Sequence, residues 1–146
     1  MAPRQPGSYV LIMRLPQRIA LDVGRLGRFD FVAGWYAYAG SARGPGGLAA
    51  RLSRHCRALK TLHWHVDHLR AHAEPTTVWY TVGNQKRECV WARVLSELPD
   101  ACVVAPGFGA SDCRCATHLI RFPAPPDRSA FARSMEDPIW EDAFDA

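Results

Sequence analysis

The stretch Gly40–Gly47, Gly-Ser-Ala-Arg-Gly-Pro-Gly-Gly, constrains this chain most. Four glycines and a proline in so short a run demand a loop with backbone angles that other residues rarely take. Before it, Trp35–Ala39 (Trp-Tyr-Ala-Tyr-Ala) has the aromatic alternation of a short strand. After it, Leu48, Leu52, Cys56 and Leu59 recur at helical spacing and predict a helix from Leu48 to about Leu59. Arg51, Arg54, His55 and Arg57 fall on the other side of that helix. A tyrosine strand thus turns through a glycine-rich loop into an arginine helix. That layout can bring a phenol and a guanidinium into one cleft, with loop N–H groups offered to an anion.

The rest of the chain supplies strands around this unit. Residues 1–6 read as a mobile lead-in. Ser8–Leu15 is apolar on both faces and predicts a central strand. Ile19–Val23 and Phe29–Val32 predict two more, with Gly34 as a candidate bulge. A second helix is expected to end near His72, a strand at Thr76–Val82, an amphipathic helix at Lys86–Leu98, and short strands at Ala101–Ala105 and Ala116–Phe122. The expected fold is α+β, a small mixed or antiparallel sheet flanked by helices. The domain is expected to run over residues 7–122, and residues 123–146 read as a proline-rich linker and an acidic tail. That tail is expected to fold over the cleft, contact a protein partner or stay disordered.

Charge is uneven along the 146 residues. Residues 1–60 carry a balance of +8 and residues 61–146 one of −4, so the first half can offer a basic face to phosphates. Within that half, Arg43, Arg54, Arg57 and Lys60 are the candidate nucleic-acid contacts. No apolar run nears the roughly 18 residues of a membrane span, and Met-Ala-Pro-Arg-Gln-Pro lacks a signal-type apolar region. A cytoplasmic protein without membrane contact is expected. Five cysteines at irregular spacing argue against a disulfide scaffold.

Five motifs occur in order: Tyr36–Ala42 (Tyr-Ala-Tyr-Ala-Gly-Ser-Ala), Gly47–His55, His63–Asp67 (His-Trp-His-Val-Asp), Glu88-Cys89 and Gly107–Leu119. With Gly7-Ser8-Tyr9 ahead of them, the set resembles the GIY-YIG nuclease superfamily, and more closely a small archaeal and bacterial branch of it. The resemblance implies metal-assisted hydrolysis of DNA, and possible action on RNA, in repair or processing. It assigns catalytic roles to Tyr9, Tyr38, Arg51, His55 and Glu88, with Glu88 holding Mg²⁺ or Mn²⁺. Those residue types suit the work. An arginine fork grips two phosphate oxygens, and a carboxylate is a hard ligand for such a cation. A phenol with an ordinary pKa near 10 needs a neighbour's help to act as a base.

The histidines and cysteines suggest a second site. His63, His65 and Asp67 cluster, and read as structural or site-supporting residues. Asp112, Cys113, Cys115 and His118 offer thiols, an imidazole and a carboxylate, a set that can hold zinc. As a strand, this segment would point Cys113 and Cys115 one way and His118 the other. A hydrogen-bonded buried network is the alternative. Three functions remain open on sequence: a metal-dependent DNA endonuclease, a nucleic-acid-binding module that lacks the hydrolytic chemistry, and a zinc-stabilised interaction protein.

Overall fold

A computed structural model describes residues 2–57, 62, 64–110 and 113–144. The element that positions all others is strand β1 (Gly7–Leu15), buried along almost its whole length. β2 (Ile19–Asp22) and β3 (Arg28–Phe31) form a separate hairpin before β4 (Gly34–Ala42) returns antiparallel to β1. Then follow α1 (Gly47–Cys56), α2 (His65–Arg70), β5 (Glu74–Val82), α3 (Glu88–Glu97), β6 (Cys102–Val103), β7 (Leu119–Phe122), α4 (Arg128–Ala132) and β8 (Trp140–Ala143). Among the described residues, the main sheet has six strands in the order β6-β7-β4-β1-β5-β8, with every neighbouring pair antiparallel. The fold is α+β, with helices packed on the sheet.

The period of two along β1 divides the core. Tyr9, Leu11 and Met13 face one side, where they meet Tyr36, Leu48, Leu52, Val66, Leu69 and Phe108. Val10 and Ile12 face the other, against Trp79, Trp91, Leu95 and Phe131. A sheet covered on both faces explains why β1 reads as a continuous apolar run.

The loop before α1 behaves as its glycines require. Gly46 and Gly47 both have positive φ, and a Cβ on Gly47 would lie 2.3 Å from the Gln5 carbonyl oxygen. That close approach has a purpose. The N–H groups of Leu48 and Ala49 donate to the carbonyls of Gln5 and Pro3 at 2.9 and 2.8 Å. Residues 3–5 therefore cap α1, and they are no loose lead-in. The N–H groups of Gly47, Leu48 and Ala49, at the start of α1, are all satisfied within the chain.

Three further expectations are corrected. No register shift occurs between β1 and β4 at Gly34. The irregularity lies between β1 and β5 at Ile12/Met13, where Pro75 enters the ladder without a donor. On α1, His55 is buried and Cys56 is exposed, because His55 continues the face of Leu48 and Leu52. Residues 123–144 are not a linker and tail outside the fold. Phe131 is fully buried against Trp79 and Trp91, with ring centroids 5.2 Å apart in both pairs. β8 covers the edge of β5, and Glu141 accepts from the Trp79 indole N–H at 2.9 Å. The acidic residues there meet β5 and Arg87, which pairs with Asp137 at 2.8 Å. Ala2 and Phe144 line one hollow with Leu52 and Val78. Among the described residues, no helix is long and apolar enough to cross a membrane.

Candidate functional site

Register brings the two expected tyrosines together. Tyr9 lies opposite Gly40 and Leu11 opposite Tyr38, so both phenols emerge on the α1 side, ring centroids 6.4 Å apart. A Cβ on Gly40 would sit 2.6 Å from the Tyr9 hydroxyl oxygen, so only glycine lets that ring pass. α1 completes the floor. Tyr9 Oη and His55 Nε2 are hydrogen-bonded at 2.7 Å, and both side chains are buried. Tyr38 packs edge-on against His55.

Arg51, one turn before His55, is half-buried at the rim. Its Nη1 donates to the Ser41 carbonyl at 2.8 Å, and its guanidinium lies 4.3 Å from the centre of the Trp64 ring. The Ser41 hydroxyl in turn donates to Glu88 Oε2 in the first turn of α3. The start of α3 is further pinned by the Arg87 N–H donating to Ser8 Oγ at 3.2 Å. Tyr9, Tyr38, Arg51, His55 and Glu88 are thus drawn into one connected group. Ser41 is the joining residue that sequence reasoning missed. Its signal was its place beside Gly40 at the end of the tyrosine strand.

Burial raises the affinity of both phenols for their protons. Tyr9 is pushed up to about 12 by desolvation, opposed by the Arg51 guanidinium. Tyr38 moves in the same direction, first through burial and then through the neighbouring Tyr9. A protonated Tyr9 can donate its O–H to His55 Nε2 in the tautomer that carries its proton on Nδ1.

The basic residues divide into committed and available. Arg54 forks onto Asp67 at 2.8 and 2.9 Å, and Asp67 is fully buried. The same carboxylate accepts from the Trp64 N–H at 2.8 Å. Arg54 therefore anchors α1 to α2 and also stacks on Trp64 at 4.1 Å, a role that its expected phosphate contact does not describe. Arg57 is exposed, and with Gly44, Gly47, Arg51 and Arg54 it lines a hollow of about 190 Å³. Arg43 reaches the Asn84 carbonyl. Lys60, His63 and Asp112 lie outside the described residues. His65 Nδ1 accepts from the Gly109 N–H at 2.8 Å, and burial lowers its pKa, so the neutral ring is favoured.

A second cluster forms where the strand geometry expected for residues 113–118 does not hold. The segment between β6 and β7 turns, so Cys113, Cys115 and His118 converge, and Cys89 from α3 joins them. Cys89 Sγ and Cys113 Sγ lie 3.6 and 3.4 Å from His118 Nε2. All four ligand atoms lie within 4.8 Å of one another, a set able to hold a metal ion. Helical spacing alone puts Cys89 among the apolar positions of α3; the Glu-Cys motif, which sets it beside Glu88, is the available signal. Burial and the crowding of the other two thiols push the Cys89 thiol up, and burial lowers His118. Cys56 and Cys102 stand apart, exposed.

The chain belongs to a family described as a domain of unknown function, DUF123, whose model matches residues 8–139. The match runs past residue 122 and takes in α4. No curated protein and no solved structure matches the chain.

Proposed function

We propose that this protein is a metal-dependent endonuclease that hydrolyses phosphodiester bonds in DNA, with its hydrolytic centre at Tyr9, Tyr38, Arg51, His55 and Glu88. The observation that carries the reading is the convergence of these residues from β1, β4, α1 and α3. The resemblance of the motifs to GIY-YIG nucleases supports it.

Arg51 holds the scissile phosphate at the rim, where it adjoins the basic hollow with Arg57. Water attacks phosphorus, and its proton passes to the Tyr9 oxygen as the Tyr9 proton moves to His55 Nε2. The P–O bond to the leaving oxygen breaks, that oxygen takes a proton from solvent and leaves as an alcohol, and His55 returns its extra proton to solvent through Tyr9. The Arg51 charge offsets the charge that builds on the phosphate oxygens. Tyr38 packs against His55 and keeps its ring in place. Glu88 fits a hard cation. Its carboxylate is half-exposed and held by Ser41, and one carboxylate suffices for a Mg²⁺ or Mn²⁺ that keeps most of its waters. That cation would supply Lewis-acid charge at the phosphate. The second metal is zinc, on Cys89, Cys113, Cys115 and His118, whose soft donors do not suit Mg²⁺. Work inside the cell on DNA repair or processing intermediates is the setting this chemistry fits.

The test is cleavage of labelled single-stranded, nicked, flapped, branched and abasic DNA, and of RNA, with Mg²⁺, Mn²⁺ or EDTA. Metal-dependent cutting by the native chain and none by Glu88→Gln supports the proposal. Salt-sensitive binding without cutting on any substrate would replace it with a binding module.

A further inference from the structure

Residues 104–118 join β6 to β7, and the described ones, 104–110 and 113–118, lie in no helix or strand. A connection of this length inside a compact domain needs something to hold it. Its described backbone bonds make turns and no ladder: Phe108 N–H donates to the Ala105 carbonyl at 3.1 Å, Ala110 N–H to Gly107 at 3.0 Å and Cys113 N–H to Ala110 at 3.4 Å, while Gly107 N–H donates to the Ala116 carbonyl at 2.6 Å and His118 N–H to the Phe108 carbonyl at 2.7 Å. The segment nevertheless matters to the tyrosine cluster. Phe108 is fully buried and packs edge-on against Tyr38, with ring centroids 6.2 Å apart. The His118 carbonyl accepts from Ala39 N–H, next to Tyr38, at 3.0 Å.

Three of the four metal-capable side chains belong to this segment, and the fourth, Cys89, follows Glu88 on α3. Zinc bonds of about 2.3 Å to sulfur and 2.0–2.1 Å to nitrogen, at tetrahedral angles, put sulfur and nitrogen about 3.6 Å apart. The two observed S···N separations are 3.6 and 3.4 Å. With four protein donors, no position is left for water or substrate, which is the arrangement of a structural zinc site. Arg93 and Arg114 line the hollow beside Cys89 and Cys115, close to the negative charge that three thiolates on one zinc would leave.

We infer that Cys89, Cys113, Cys115 and His118 form a closed zinc site that staples the 104–118 segment to the first turn of α3. The zinc fixes the wall behind Tyr38 and the base of Glu88 without touching substrate. The inference extends the zinc assignment and stands apart from the hydrolytic reading, since none of its tests requires cleavage.

The full chain, purified and dialysed, is expected to retain about one zinc per molecule by elemental analysis. A thiol reagent should find two reactive cysteines, Cys56 and Cys102, in the loaded chain and all five after a chelator is added. Burial alone would not protect the other three, because Cys89, Cys113 and Cys115 are partly exposed. Cobalt added to the metal-free chain should give the visible bands of a tetrahedral thiolate site. Cys115→Ser should lose the metal and Cys102→Ser keep it. Should Cys115→Ser fail to fold, the thiol count on the native chain still decides. Amide exchange should quicken across residues 104–118 and the start of α3 on zinc removal, while β1 and β5 keep their protection. Five reactive thiols in the zinc-treated chain, or loss of zinc on dialysis, would overturn the site. Exchange that is identical with and without zinc would overturn the staple.

Discussion

The tyrosine cluster stands on β1, β4 and α1, while the cysteine cluster takes Cys89 from a helix and its other three members from an irregular segment. In the first, ladder register and helix period fix each side chain before any ligand arrives. Tyr9 meets His55, Arg51 meets Ser41, and Ser41 meets Glu88 through the protein's own hydrogen bonds. In the second, three thiols and an imidazole crowd together on turns rather than on a ladder or a single helix face. Crowded thiols that stay protonated gain little from one another; a bound cation turns the same crowding into four bonds. The contrast is between a centre made by folding and one that, with the proposed zinc bound, would help make the fold.

The sharpest way to break this contrast is Arg51→Ala. Cleavage should fall about 10²–10³-fold, as for loss of a charge-stabilising donor, while the unfolding midpoint and the zinc content stay near those of the native chain. Arg51→Lys should recover only part of the rate, since an ammonium cannot fork onto two oxygens. A full rate in Arg51→Ala would place the chemistry elsewhere. Asp67→Asn comes next. It leaves Arg54 without its carboxylate in a largely buried setting, which should cost about 3–5 kcal/mol in urea unfolding, whether or not zinc is present. A loss that appeared only in the zinc-free chain would show that the two centres share one support.

Tyr9→Phe should slow single-turnover cleavage about 10²-fold. Because burial holds the Tyr9 phenol up to about 12, it stays protonated for the relay across the neutral range, and no rise of the native rate there should trace to its ionisation; a rise that Tyr9→Phe removes would make the phenolate the base instead. The smallest effect concerns His65. Its folded pKa is lowered by burial, so its contribution is fully present above its unfolded value of about 6.5 and is lost as pH falls through that value toward the folded one. In that window the unfolded chain binds more protons, and stability must drop. The Gly109 amide, which donates to His65 Nδ1, should lose exchange protection on acidification, and His65→Gln should remove that dependence.

Much of the first centre was legible because strands and helices translate spacing into direction. Alternation placed Tyr36 and Tyr38 on one face, and an apolar run on both faces marked β1 as central. Helical spacing placed Arg51 and His55 a turn apart, though Cys56 was taken for the buried position that His55 occupies. The partners across the fold were not legible. Nothing local says that Arg54 commits itself to Asp67, or that Ser41 links two helices across a strand end. The second centre was half-visible for a similar reason. Residues 113–118 were judged by strand geometry, which sends His118 away, whereas the segment turns and a helix supplies the fourth donor. The C-terminal part was misjudged because its prolines and acids look like a solvated tail. The apolar residues that dock it, Phe131 above all, are sparse.

One consequence follows from the hollow shared by Ala2 and Phe144. Polypeptide leads into this fold and out of it at neighbouring points, so a host protein could carry the whole fold as a bead on one of its surface loops. Joining the two points with a short linker and opening the chain at an exposed turn such as Gly83–Gln85 would leave every strand pairing intact.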